Sequence, residues 1–177
     1  MADTSSLREL VRDIPDWPRP GIVFRDITPL MADAGALDEA VRQLAEIARP
    51  LSPDVVVAAE ARGFLLGAAL ARELHAGFVL ARKPGKLPHD TVRAEYLLEY
   101  GTDALELHSD AIAAGARVLV HDDLLATGGT AKALCELVEQ LGGQVVGCAF
   151  LIELAFLSGR ERLAGYPVHA LISYDAE

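Results

Sequence analysis

The chain is short of positive charge and of cysteine, and it has no long unbroken apolar run. Each shortage removes a class of protein. Only 16 lysines and arginines stand against 26 aspartates and glutamates in 177 residues, a formal net charge of −10. That balance disfavours nucleic acid and anionic membrane as partners. The two cysteines, Cys135 and Cys148, show neither metal spacing nor a CxxC pair and fall in apolar segments. Buried free thiols fit them better than a disulfide. None of the five histidines has metal-ligand spacing. No apolar stretch approaches membrane-spanning length, and the N-terminal Met-Ala-Asp-Thr-Ser-Ser lacks the basic and apolar regions of a secretion signal. The expectation is a cytoplasmic protein. Two nucleotide fingerprints are missing as well. Gly85-Lys86 is followed by Leu87 rather than Ser or Thr, which excludes a Walker A loop, and no GxGxxG opens a helix after a strand.

What is present is a chain with 51% hydrophobic residues, enough for one sizeable core, so residues 1–177 are expected to form a single domain. No repeat or low-complexity tract divides it. The scarce basic charge is concentrated: residues 60–93 hold six Lys or Arg and three Asp or Glu, including Lys83 and Lys86, two of the chain's three lysines. A positive stretch in an acidic protein points to a small anionic ligand.

Along the chain, Ser6-Leu-Arg-Glu9 reads as a capping box opening a short helix with Leu7, Leu10, Val11 and Ile14 on one face. Pro15, Pro18 and Pro20 end it and begin a helix-free connector. A short strand-like run covers residues 22–27, and helical spacing covers 38–49. Residues 54–59 and 78–81 are apolar without alternation, as in strands buried on both faces, with a helical run at 64–74 between them. That is the βαβ pattern of a parallel sheet. Residues 82–88 form a basic loop. Residues 92–100 and 104–108 flank Gly101-Thr-Asp103 as a hairpin, a candidate lid. A strand, a helix ending at Gly142-Gly143, and strands at 144–153 and 168–173 complete an α/β fold.

The chemistry centres on residues 118–130, Val-Leu-Val-His-Asp-Asp-Leu-Leu-Ala-Thr-Gly-Gly-Thr. An apolar run ends in Asp122 and Asp123, and a small-residue turn then leads into a helix. Ligands of open α/β sheets sit beyond the carboxyl ends of strands. Gly128 and Gly129 allow backbone N–H groups to converge on an anion, and Gly129 is expected to need positive φ. One loop thus offers a phosphate cradle beside carboxylates suited to hydroxyl groups. Taken singly, a Gly-Gly turn can be only a turn, Phe24 a core residue, Glu99 a solvated acid and Arg62 a structural ion pair.

The whole string resembles the phosphoribosyl-pyrophosphate (PRPP) motif of the type I phosphoribosyltransferases. Pro-Gly-Ile-Val-Phe-Arg-Asp-Ile-Thr-Pro, Glu-Ala-Arg-Gly-Phe, Arg-Lys-Pro-Gly-Lys-Leu-Pro and Leu-Glu-Tyr-Gly narrow the resemblance to the adenine-specific members, over nearly the whole chain. It implies a Rossmann-like parallel sheet flanked by helices, with an N-terminal base-binding hood (residues 1–36) and a basic loop with lid hairpin (82–108). It further implies Mg²⁺-dependent transfer of ribose 5-phosphate from PRPP to adenine, giving AMP and pyrophosphate by an oxocarbenium-like, inverting displacement, in a homodimer. Ala126, Thr127, Gly128, Gly129 and Thr130 would hold the 5′-phosphate. Asp122 and Asp123 would engage the ribose hydroxyls and stabilise developing positive charge. Arg62, Arg82, Lys83 and Lys86 would meet pyrophosphate, with Arg82 coming from a neighbouring subunit. Phe24 and Leu124 would sandwich adenine, and backbone groups of Val23 and Arg25 would read its edge. Glu99 would assist proton removal, and Tyr100 would help close the lid. No protein ligand set for Mg²⁺ is implied, since the ion would arrive through PRPP and water, near Asp122. The resemblance also implies a cis peptide near Glu60. His121 stands where relatives place an apolar residue, which implies a partly buried side chain with its hydrogen bonds met. The alternatives are transfer to guanine, xanthine or orotate, and a PRPP-sensing regulator, which would need a basic DNA-binding segment that these residues lack.

Overall fold

Residues 4–97 and 102–176 are described by the computed structural model. Helix α1 (Ser5–Glu9) opens the chain, but its N-cap is Thr4 and no side chain caps it, so the Ser6 capping box does not form. Two short strands follow, β1 (Arg12–Ile14) and β2 (Phe24–Asp26), paired antiparallel with Asp13 opposite Arg25. Ile14 therefore belongs to a strand rather than to the first helix. Helix α2 (Thr28–Ala32) was not expected; Pro29 suits its first turn, where no backbone donor is needed. Helix α3 (Ala34–Ala48) begins four residues earlier than its apolar spacing implies, because the Asp33 side chain caps it by accepting from the Ala36 N–H at 2.8 Å.

The central sheet is parallel and five-stranded, in the order β4-β3-β7-β8-β9. Its strands are β3 (Val55–Ala59), β4 (Gly77–Ala81), β7 (Arg117–Leu125), β8 (Gln144–Leu154) and β9 (Val168–Tyr174). Helix α4 (Gly63–Leu74) connects β3 to β4, and α5 (Gly129–Gln140) connects β7 to β8. Because strand side chains alternate, each strand feeds two cores. Val56, Leu119, Ala149 and Leu151 pack with α3 and α4. Val57, Val118, Val120, Cys148 and Phe150 pack with α5 and the hairpin β5 (Thr91–Leu97) and β6 (Thr102–His108). This two-sided burial explains why the strands read as continuous apolar runs.

Two features set the ends. The Sγ atoms of Cys135 and Cys148 lie 3.8 Å apart as buried free thiols. After β8, a single 3₁₀ turn (Ala155–Leu157) leads into α6 (Gly159–Arg162). Among the described residues, no helix is long and apolar enough to cross a membrane.

Candidate active site

At the carboxyl edge of the parallel sheet, a cavity of about 660 Å³ opens at the ends of β7 and β8. Asp122 and residues 124–131 form its floor. Residues 18–23, the connector before β2, form one wall. Leu154, Phe156 and Leu157 form the other. Val23, Asp122, Leu124, Ala126, Thr127, Gly128, Gly129 and Thr130 thus meet in one place.

The phosphate-type loop differs from expectation in one respect. Gly128, not Gly129, carries the positive φ, at +81°, and it is the N-cap of α5. Gly129 is already the first helical residue. The loop therefore turns one residue earlier and delivers the amino end of α5, with its unpaired N–H groups, to the cavity.

The two acids also sit differently. Strand β7 runs on to Leu125, so Asp122 and Asp123 lie within the strand rather than beyond it. Asp122 is half-buried, and Asp123 is only 3% exposed. The Asp123 N–H donates to Asp122 Oδ1 at 2.9 Å. Burial, reinforced by the neighbouring Asp123 charge, pushes the Asp122 carboxyl well above the usual range. Burial raises Asp123 as well, and the Arg62 guanidinium opposes that rise. A low-dielectric pair that resists double ionisation is primed to attract positive charge.

Arg62 bridges the core and the hood. Its Nε lies 3.0 Å from Asp123 Oδ2, at an angle that leaves this oxygen without a hydrogen bond. Its Cζ stands 4.9 Å from the Phe24 ring centroid. Phe24 also meets Trp17 edge-on, with centroids 4.4 Å apart, so its ring is engaged by these two neighbours while Ile22 and Val23 line the cavity. The Arg25 side chain is buried, paired with Asp13 and stacked on Tyr174 at 4.0 Å.

Arg82, Lys83 and Lys86 do not line the cavity. Arg82 Nε donates to Glu60 Oε2 at 2.6 Å, and Lys83 pairs with Asp103 near the Tyr96 hydroxyl. Lys86 is exposed. Burial raises the Glu60 carboxyl, but the Arg82 hydrogen bond, a Lys83 backbone N–H and the charges of Arg82 and Lys86 hold it below its usual range. The peptide between Glu60 and Ala61 is cis. Glu99 and Tyr100 lie outside the described residues.

His121 is fully rather than partly buried, and its hydrogen bonds are only half met, contrary to expectation. Its Nδ1 lies 2.9 Å from the Ala149 carbonyl, and Nε2 has no partner. Burial pushes its pKa down to about 4, so the ring is neutral and Nδ1–H donates to Ala149.

Residues 18–22 fall in the expected hood, whereas Leu154, Phe156 and Leu157 were not singled out from the sequence. The end of β8 belongs to the same sheet edge as Glu60, Arg82 and Asp122, and that placement was the available signal.

A glycine turn at a helix start, an adjacent acid and an apolar wall thus share one cavity. The phosphoribosyl transferase domain family matches residues 30–169. The adenine phosphoribosyltransferase of Rubrobacter xylanophilus is 62% identical over 169 residues, covering 95% of this chain and 91% of that protein. The crystal structure of the Thermoanaerobacter pseudethanolicus enzyme of that name superposes with a TM-score of 0.94 at 51% identity, covering 96% of this chain and 99% of that one. The Giardia lamblia enzyme complexed with 9-deazaadenine gives 0.93 at 32% identity, covering 99% and 100%. The chain belongs to the adenine phosphoribosyltransferase family of pentosyl-transferring enzymes.

Proposed function

We propose that the chain transfers the 5-phosphoribosyl group from PRPP to adenine, yielding AMP and pyrophosphate, a purine-salvage reaction. The observation that carries this reading is the shared cavity, in which Asp122 and the Gly128 turn form the floor beneath the apolar hood at Val23. The 5′-phosphate is held by backbone N–H groups of residues 126–130. Asp122 and Asp123 accept hydrogen bonds from the ribose hydroxyls and favour positive charge at the anomeric carbon as the pyrophosphate bond lengthens. Attack by the base from the opposite face inverts that carbon. Adenine lies between Leu124 and the hood, where Phe24 stacks on it and Val23 and Arg25 present backbone groups to its edge. Glu99 takes the departing proton, and Tyr100 helps to close the lid.

Pyrophosphate is neutralised by Arg62, Lys83 and Lys86, with Arg82 supplied by a second copy of the chain in a homodimer. Among the described residues no group of three or more His, Cys, Asp or Glu could cage a metal ion. Asp122, the one carboxylate lining the cavity among those residues, would suit an Mg²⁺ ion held mainly through substrate oxygens and water. Such an ion would supply positive charge to offset the negative charge of the leaving pyrophosphate. Parallel PRPP-dependent assays with adenine, hypoxanthine, guanine and orotate test the proposal. Turnover confined to adenine is expected; turnover of another base in preference would overturn the adenine assignment.

A further inference from the structure

The turn that follows β8 touches the phosphate loop more closely than any side chain could allow. A Cβ on Gly159 would lie 2.1 Å from the Ala126 carbonyl oxygen and 3.1 Å from the Gly128 nitrogen. A Cβ on Gly128 would lie 2.5 Å from the Gly159 carbonyl oxygen. The two backbones interlock through a pair of glycines, and Gly159 is absent from the glycines with positive φ. Space, not backbone conformation, therefore demands glycine at 159.

The interlock is anchored from behind. Arg160 forks onto Glu153, with Nε to Oε1 and Nη2 to Oε2 both at 2.6 Å, and its Nη1 donates to the Val168 carbonyl at 2.7 Å. Glu153 is 5% exposed and pairs in register with Leu125, the residue before the loop. Leu163, just past α6, is buried in the core. A bidentate guanidinium–carboxylate pair fixes orientation as well as distance.

We infer that Gly159, held by the Arg160–Glu153 fork, is a positioning residue that sets the shape of the 5′-phosphate loop. It touches Ala126 and Gly128 but not the substrate, and it acts by holding their peptide groups where a phosphate can be gripped. The inference rests on the reading of residues 126–130 as the phosphate loop.

Calorimetric titration of the full chain with AMP and with adenosine separates phosphate grip from base and ribose binding. The unmodified protein should bind AMP far more tightly than adenosine. Gly159→Ala should weaken AMP binding by roughly tenfold or more, the scale on which ångström displacements of positioned groups act, with adenosine affinity unchanged. Glu153→Gln, which keeps shape but breaks the fork, should show the same pattern with a loss of roughly 3–10-fold. Arg160→Lys, which keeps the charge without the fork, should fall between it and the unmodified protein. Circular dichroism confirms folding, and if Gly159→Ala does not fold, Glu153→Gln decides. Folded variants that keep the AMP preference, or that lose AMP and adenosine affinity equally, would overturn the inference alone. Equal affinities in the unmodified protein would overturn the phosphate-loop reading and the inference with it.

Discussion

Arg62 reaches Asp123 at 3.0 Å without giving Oδ2 a hydrogen bond, so the pair is held by charge more than by geometry. The proposed pyrophosphate contact would draw on this same guanidinium. Replacing Arg62 with Gln should lower kcat/KM for PRPP by ~10²-fold, the scale of one lost preorganised electrostatic contact. It also removes the cation that opposes the burial of Asp123, so the acidic limb of the pH–rate profile should move to higher pH. A limb that stays in place would detach Arg62 from Asp123 in function.

Asp122→Asn should separate stability from activity. The Asp122 carboxyl is raised in the folded chain, so it favours folding when protonated, and that contribution is lost as pH rises from the ordinary carboxylate range through its folded value. The asparagine variant escapes the loss. Its melting temperature should exceed that of the unmodified protein at pH 7 and match it most closely near pH 4. About 2–4 °C is expected for each 1 kcal/mol relieved in a chain of this size. At the same time kcat should fall by ~10²-fold if the charge stabilises an oxocarbenium-like state. Melting curves from pH 4 to 8 and steady-state kinetics check both halves.

His121 works in the opposite direction. Its folded pKa, pushed down to about 4, lies below the ordinary histidine value of 6.5. Its contribution is present above that value and fades as pH falls toward 4, because only the unfolded chain can take up the proton. The whole window is worth about 3 kcal/mol. His121→Leu should give a flatter stability curve between pH 7 and 4, measured by urea titration at each pH. An unchanged slope would mean that the imidazole is protonated in the fold.

Base choice should follow backbone groups rather than side chains. Adenine offers an N6 donor beside an N1 acceptor, while hypoxanthine reverses both. Two unsatisfied buried partners at ~1–3 kcal/mol each imply discrimination of roughly 10²–10⁴ in kcat/KM. Val23→Ala should leave that ratio nearly unchanged. Phe24→Ala should weaken adenine binding while preserving the preference. Competition assays with both bases measure it.

The sheet was readable in advance because strands buried on both faces leave unbroken apolar runs: residues 54–59 and 78–81 match β3 and β4 to within one residue. Elements of three to five residues, such as β1 and α2, carry too few positions to show a period. The paired acids and the glycine turn stood out by residue type, yet their placement did not. The spacing alone could not say that β7 continues past Asp123, or that the turn's positive φ falls on Gly128. Leu154, Phe156 and Leu157 escaped notice because an apolar side chain looks the same whether it faces a core or a ligand. Gly159 escaped because the atoms that require it belong to a loop more than thirty residues earlier in the chain.

The basic loop brings its own counterions. Arg82 rests on Glu60 and Lys83 on Asp103, so these cations are already neutralised by the chain itself. A phosphate that recruits them must displace carboxylates rather than dissolved salt. Its affinity should therefore respond to ionic strength more weakly than a count of nearby lysines and arginines implies. The loop's charge is thus held in reserve, released only when its own ion pairs open.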